Sequence, residues 1–148
     1  MKKTISYRLF SIGGISKKLR PVLEKEGMLV CDEGIRGWFV TKNFKAPGKR
    51  FWYRQEGFSG FLAITEKRII AYAYWKRIIN LPFDDAKLSA INAELINTNR
   101  IDLSFESSVF HHDRQGIITV RFYTEKAQEF YDTLLDTTRK TAQQSAYT

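Results

Sequence analysis

Two segments late in the chain, Ile101-Asp102-Leu103-Ser104-Phe105-Glu106 and Ile118-Thr119-Val120-Arg121-Phe122, alternate apolar and polar residues without a break. Successive side chains of an extended strand point to opposite faces, so a period of two demands a sheet with one dry and one wet face. Directly afterwards the period changes. Ala127, Phe130, Tyr131, Leu134 and Leu135 recur at helical spacing, which puts one apolar stripe on a helix. Thr124 stands where an N-cap belongs, and Glu125 where the helix dipole favours an anion. The chain must therefore hold an antiparallel sheet that leads into an amphipathic helix.

The rest of the middle has the same strand character. Residues 28–31, 35–42, 51–54, 61–65, 68–75 and 78–81 read as strands rich in aromatic and β-branched side chains. Turns separate them at Ala46-Pro47-Gly48-Lys49, between Gly57 and Gly60, at Glu66-Lys67, and at Pro82 with Asp84-Asp85. Residues 86–97 fit a helical turn and a short strand equally well. Seven or eight short antiparallel strands must close or fold over to remove their edges. A terminal amphipathic helix is a natural stopper for one mouth.

Three regions follow: an N-terminal arm over residues 1–26, a β domain over 27–140, and a polar tail over 141–148 expected to be flexible. In the arm, Ile5, Tyr7 and Leu9 alternate in strand fashion. Ile15, Leu19, Val22 and Leu23 then recur at helical spacing before Gly27. Pro21 is compatible only with the first helical turn or a kink. The arm's basic, amphipathic helix suits packing on the sheet better than lying in a membrane surface.

The 148 residues are 43% hydrophobic and 27% charged, which excludes a disordered or collagen-like chain, and one cysteine excludes a disulfide framework. Charge is unevenly placed. Residues 1–77 carry 17 basic and 6 acidic side chains, whereas residues 78–148 carry 7 basic and 10 acidic ones. Such a split favours an anionic partner on one side of the molecule, though basic surface also serves solubility. No leader-like apolar run follows Met1 and Lys2, and the longest apolar stretch, residues 69–75, is far too short to span a bilayer. The expectation is a cytoplasmic protein, peripheral to the membrane at most.

No catalytic constellation stands out, so the chain reads as a non-enzyme with no cofactor. The adjacent His111 and His112 point to opposite faces of any strand and lack a third ligand, so no metal site is expected. Cys31, His111 and Asp113 have no flanking signature of a nucleophilic site. Asp84 and Asp85 suit a turn whose carboxylates accept local backbone N–H groups.

The run Glu26-Gly27-Met28-Leu29-Val30, the hairpin Gly60-Phe61-Leu62-Ala63-Ile64-Thr65-Glu66-Lys67-Arg68-Ile69-Ile70 and the strand end Ile79-Asn80-Leu81-Pro82-Phe83-Asp84-Asp85 together resemble the pleckstrin-homology-like superfamily, closest to its bacterial PH-like and GRAM-like branch. The resemblance spans about residues 26–136. It implies a seven-stranded antiparallel bent β-sandwich or barrel capped by a C-terminal α-helix. It also implies a ligand such as a phosphoinositide head group, a peptide or another copy of the domain.

The lipid-binding members carry basic residues in their first hairpin. Here that hairpin holds Lys42, Lys45, Lys49, Arg50 and Arg54, interleaved with Phe44, Phe51, Trp52 and Tyr53. Lys49 and Arg50 are adjacent, so the family's Arg-x-Arg spacing is absent. These five residues are the candidate site for an anionic head group, on a membrane surface or a phosphorylated ligand. The alternative is a module for protein–protein contact or self-assembly. Nucleic acid is disfavoured, because no RRM, OB or helix-turn-helix signature accompanies the charge. Trp75-Lys76-Arg77 forms a second small basic cluster, for which solubility is a sufficient explanation.

Overall fold

The period-two segments do form strands, and every strand pairing is antiparallel. The structure, a computed structural model, describes residues 3–10 and 12–146. Two short helices, α1 (Ile5–Phe10) and α2 (Leu19–Lys25), come first. Seven strands follow: β1 (Met28–Ala46), β2 (Lys49–Thr65), β3 (Arg68–Ala73), β4 (Lys76–Pro82), β5 (Asn92–Asn97), β6 (Arg100–Glu106) and β7 (Gln115–Tyr123). Helix α3 (Ala127–Ala146) comes after them. The spatial order is β4-β3-β2-β1-β7-β6-β5.

One sheet of this size needs its apolar face covered, and it covers that face by bending over on itself. Its two halves meet in one core. Leu62, Ile69 and Leu81 from the β1–β4 half join Ile101, Leu103, Val120 and Phe122 from the β5–β7 half in one buried cluster. Phe58 meets Phe122 edge to face, with ring centroids 5.9 Å apart, a geometry the ring quadrupoles favour. Against β2, β1 slips register between Met28 and Val30 and again between Asp32 and Ile35. Irregularities of this kind add twist and let a long strand turn a corner.

Helix α3 stoppers one mouth. Ala127, Phe130 and Leu134 enter the core cluster, and the helix packs on β5, β6, β1 and β2. Thr124 lies in the turn that leads into it, three residues before Ala127: its Oγ1 accepts the Lys126 N–H at 3.1 Å and donates to Asp32 Oδ2 at 2.6 Å. That second bond pins the helix start to the bend in β1. Leu135, placed on the stripe by its spacing, is 38% exposed. It lies at the edge of the stripe, where the sheet no longer covers it.

The N-terminal arm covers the other face of β2 and β3. Ile15 and Leu23 bury against Phe61, Ala63 and Ile70, with Leu19 and Tyr72 alongside. β3 is therefore dry on both sides at Ile69, Ile70 and Ala71. Burying a side chain such as Leu23, which is fully enclosed, contributes about 1.5–3 kcal/mol. Polar ties hold the arm in place: Lys3 pairs with Asp32, while Tyr7 and Arg20 both donate to Glu33.

The structure corrects several expectations. Residues 5–10 are helical, not strand-like. A five-residue alternation is too short to decide, and Thr4 settles it by accepting the Tyr7 N–H on its side chain and the Arg8 N–H on its carbonyl. Residues 28–31 and 35–42 belong to one strand, as do 51–54 and 61–65. The glycines between them sit inside β2, where Gly57 and Gly60 keep their places in the ladder with β1. Residues 86–97 split into a 3-10 helix (Ala86–Ala90) and β5. The tail is helical as far as Ala146, continuing α3; the expectations for Met1, Lys2, Tyr147 and Thr148 lie outside the described residues. Pro21 falls inside the first turn of α2, as its ring requires.

Candidate functional site

Three connections converge at the mouth away from α3: the β1–β2 turn, the β3–β4 turn, and the β6–β7 connection with its short 3-10 helix (Ser107–Val109). Cavities join them. One, of about 610 Å³ at the hairpin tip, is lined by Lys45, Lys49 and Arg50 together with His112 and Asp113. A neighbour of about 430 Å³ is lined by Lys49, Arg54, Lys76 and Arg114, with Glu56 and Asp113 as its acids. The third, of about 600 Å³, is an apolar groove floored by Phe39, Phe58, Phe105 and Ile118 and edged by Lys76, Arg77 and Arg114.

The hairpin that carries the first cluster is built for display. Ala46-Pro47-Gly48-Lys49 makes the expected turn, with Gly48 at φ +76 where a side chain would be strained. Phe44 and Phe51 stack across the strands with centroids 4.8 Å apart, which stiffens the tip. Asn43 takes a positive φ of 52, and β1 slips one residue against β7 between Lys42 and Lys45. The hairpin register sets Lys45 directly opposite Arg50. Like charges in that position repel and destabilise the hairpin. Arg54 is paired with Glu56 at 2.6 Å and lies 5.8 Å from the Phe51 ring, so part of its charge is already answered.

Of the five sequence candidates, Lys45, Lys49 and Arg50 meet in the tip cavity, and Arg54 joins Lys49 in the next one. Lys42 is exposed, stands opposite Tyr53 in the hairpin and lines none of the three cavities. Sequence reasoning missed Lys76, Arg77 and Arg114. Solubility alone accounts for the first two in the sequence, and nothing local marks Arg114 as their neighbour.

The β3–β4 turn shows a different kind of signal. Tyr74 sits at φ +57, a conformation uncommon for any residue with a bulky side chain. Two hydrogen bonds hold it there: its N–H donates to the Ser59 carbonyl at 2.8 Å and its hydroxyl to the Gly57 carbonyl at 3.0 Å. The consequence is that Trp75 projects into solvent, 76% exposed, beside Lys76 and Arg77. Trp52 on the hairpin is 78% exposed. Each tryptophan thus leaves a large apolar ring in water close to basic side chains in the sequence.

The remaining candidates find ordinary roles or exposed places. Asp85 caps the 3-10 helix by accepting the Lys87 N–H at 2.8 Å, as a turn carboxylate should. His111, His112 and Asp113 are exposed in the β6–β7 connection. Among the described residues no three His, Cys, Asp or Glu side chains gather as metal ligands would. Cys31 is half-buried on β1, and burial pushes its thiol pKa up, outweighing the pull of Arg20 and Lys126. Among the described residues no helix is long and apolar enough to cross a membrane. The sequence matches no protein-family model and no curated protein.

Proposed function

We propose that this protein is a non-enzymatic binding module of the PH-like kind, whose open mouth meets anionic lipid head groups at a membrane surface. One observation carries the reading: cations from three separate connections, including the mutually repelling Lys45 and Arg50, gather at the same end as the exposed Trp52 and Trp75. An anion seated there relieves the repulsion. Interfacial tryptophans add an apolar hold at head-group depth. Near an anionic bilayer each Lys or Arg contributes about 1 kcal/mol, so three in contact at once give about 3 kcal/mol. Such an interaction is weak, reversible and steeply salt-dependent.

Co-sedimentation with phosphatidylcholine vesicles, with and without phosphatidylserine, tests it. Binding that needs the anionic lipid and fades as salt is raised supports the proposal; equal pelleting with both vesicle types, or none at low salt, removes it.

A second reading has its own observation. Among the described residues, 49–58 of β2 pair with β1 alone in the ladder, because β3 begins to pair only at Gly60. That leaves a free strand edge with Trp52 and Tyr53 exposed, and a second copy could add a strand there. The lysines and arginines on this edge oppose such pairing, so lipid is favoured over self-assembly. Light scattering over a concentration series decides: a dimer that grows with concentration would favour the second reading.

A further inference from the structure

The apolar groove holds a feature that contact with a bilayer surface does not use. Ser107, which lines it, is 1% exposed, and its hydroxyl has no hydrogen-bond partner among the described residues. Buried hydroxyls are nearly always partnered, and a hydroxyl both donates and accepts, so an orphan beside a cavity points to a polar group that comes from outside. The groove is walled by Phe58, Phe105 and Phe110, and its volume of about 600 Å³ falls in the range of small-molecule sites. Its charged lining is unbalanced. Glu56 is the acid, and Arg54 already holds it; Lys76, Arg77 and Arg114 supply the cations.

We infer that this groove takes one molecule of a medium-chain fatty acid, its alkyl chain against the phenylalanine wall and its carboxylate accepting from Ser107. Arg114, in the same connection as Ser107, supplies the counter-charge, with Lys76 and Arg77 across the groove. A neutral head group would forgo the charge, and an ammonium could neither accept from Ser107 nor tolerate the three cations. The chain supplies the apolar burial that a head group alone lacks.

The test is calorimetric titration of the full chain with monomeric decanoate, alongside decanol and decylamine. The expected result is saturable one-to-one binding of decanoate with a negative heat-capacity change. Decanol should bind about tenfold more weakly, having lost the charge, and decylamine should not bind. Ala73 lines the groove and is half-buried, so Ala73→Leu should fill the space and weaken decanoate. Ser107→Ala should weaken decanoate by about tenfold while leaving the fold at least as stable, because it deletes an unmet donor. The second variant keeps the inference testable if the first fails to fold. No saturable heat with decanoate, equal affinity for all three head groups, or unchanged affinity in Ser107→Ala would overturn it. No vesicle is present, so this result is independent of the co-sedimentation outcome, and either can fail alone.

Discussion

Replacing Arg50 by glutamate should move stability and binding in opposite directions. In the β1–β2 register Arg50 lies directly across from Lys45. A cross-strand charge pair is worth roughly 0.2–1 kcal/mol, with the sign set by the charges. Turning repulsion into attraction therefore stabilises the hairpin by about 1 kcal/mol at low salt, and by less once counterions screen two exposed side chains. For a chain of this size 1 kcal/mol raises Tm by about 2–4 °C. The same change removes one cation from the tip and adds an anion. At about 1 kcal/mol per charge near an anionic bilayer, binding loses about 2 kcal/mol, or about 30-fold in partition constant. The assay is thermal unfolding followed by circular dichroism, with vesicle partitioning on the same preparation. A lower Tm would refute the register. A higher Tm with unchanged partitioning would show that the tip does not touch the membrane.

Other outcomes follow from the same geometry. Asp102 is almost fully buried and takes two hydrogen bonds from Arg100, at 2.9 and 2.7 Å, with Arg121 Nε 3.7 Å away and without another partner among the described residues. Asp102→Ala strands two guanidinium groups and should cost about 3–5 kcal/mol in urea unfolding; a cost below 1 kcal/mol would mean the cluster is solvated. A Cβ on Gly60 would stand 1.9 Å from the Tyr72 carbonyl oxygen, so Gly60→Ala should destabilise by about 3 kcal/mol or more. Gly48→Ala meets only its positive φ, with nothing among the described residues within 4 Å, and should cost about 1–2 kcal/mol; the reverse order would place the β2–β3 approach elsewhere. Burial keeps the Cys31 thiol protonated above the usual thiol range. Iodoacetamide at mildly alkaline pH should therefore label the native protein more slowly than the unfolded one. A folded pKa above the unfolded one gives stability that is complete below the unfolded value and lost as pH rises through the folded value.

Legibility in the sequence followed how each element is buried. β6, β7 and α3 each have one dry side, and one-sided burial writes a clean period into the chain. Residues 58–65 of β2 are dry on both sides, under the core and under the N-terminal arm, so no alternation links them to the exposed first half, and Gly57 and Gly60 read as a break. α1 depends on a single cap at Thr4, and a six-residue segment holds too few residues to show a helical period. The basic hairpin was visible because its charges are close in sequence. The groove was not. Phe39, Phe58, Phe105 and Phe110 are indistinguishable from core by residue type, and only the bend of the sheet decides that they border a space. Its cations come from two connections, with Arg114 far along the chain from Lys76 and Arg77, and only the fold brings them together. Ser107 carries no local mark at all; its significance is a missing partner.

The proposed membrane contact turns on which end of the molecule would meet lipid. A Trp38→Phe variant leaves Trp52 and Trp75, both at the mouth away from α3, as the fluorescent reporters. Mixed with anionic vesicles whose acyl chains carry bromine, this protein should lose much of its tryptophan emission, while bromine-free vesicles should not quench it. Vesicles that pellet the protein yet leave its emission unquenched would put a different face on the membrane and contradict the proposal.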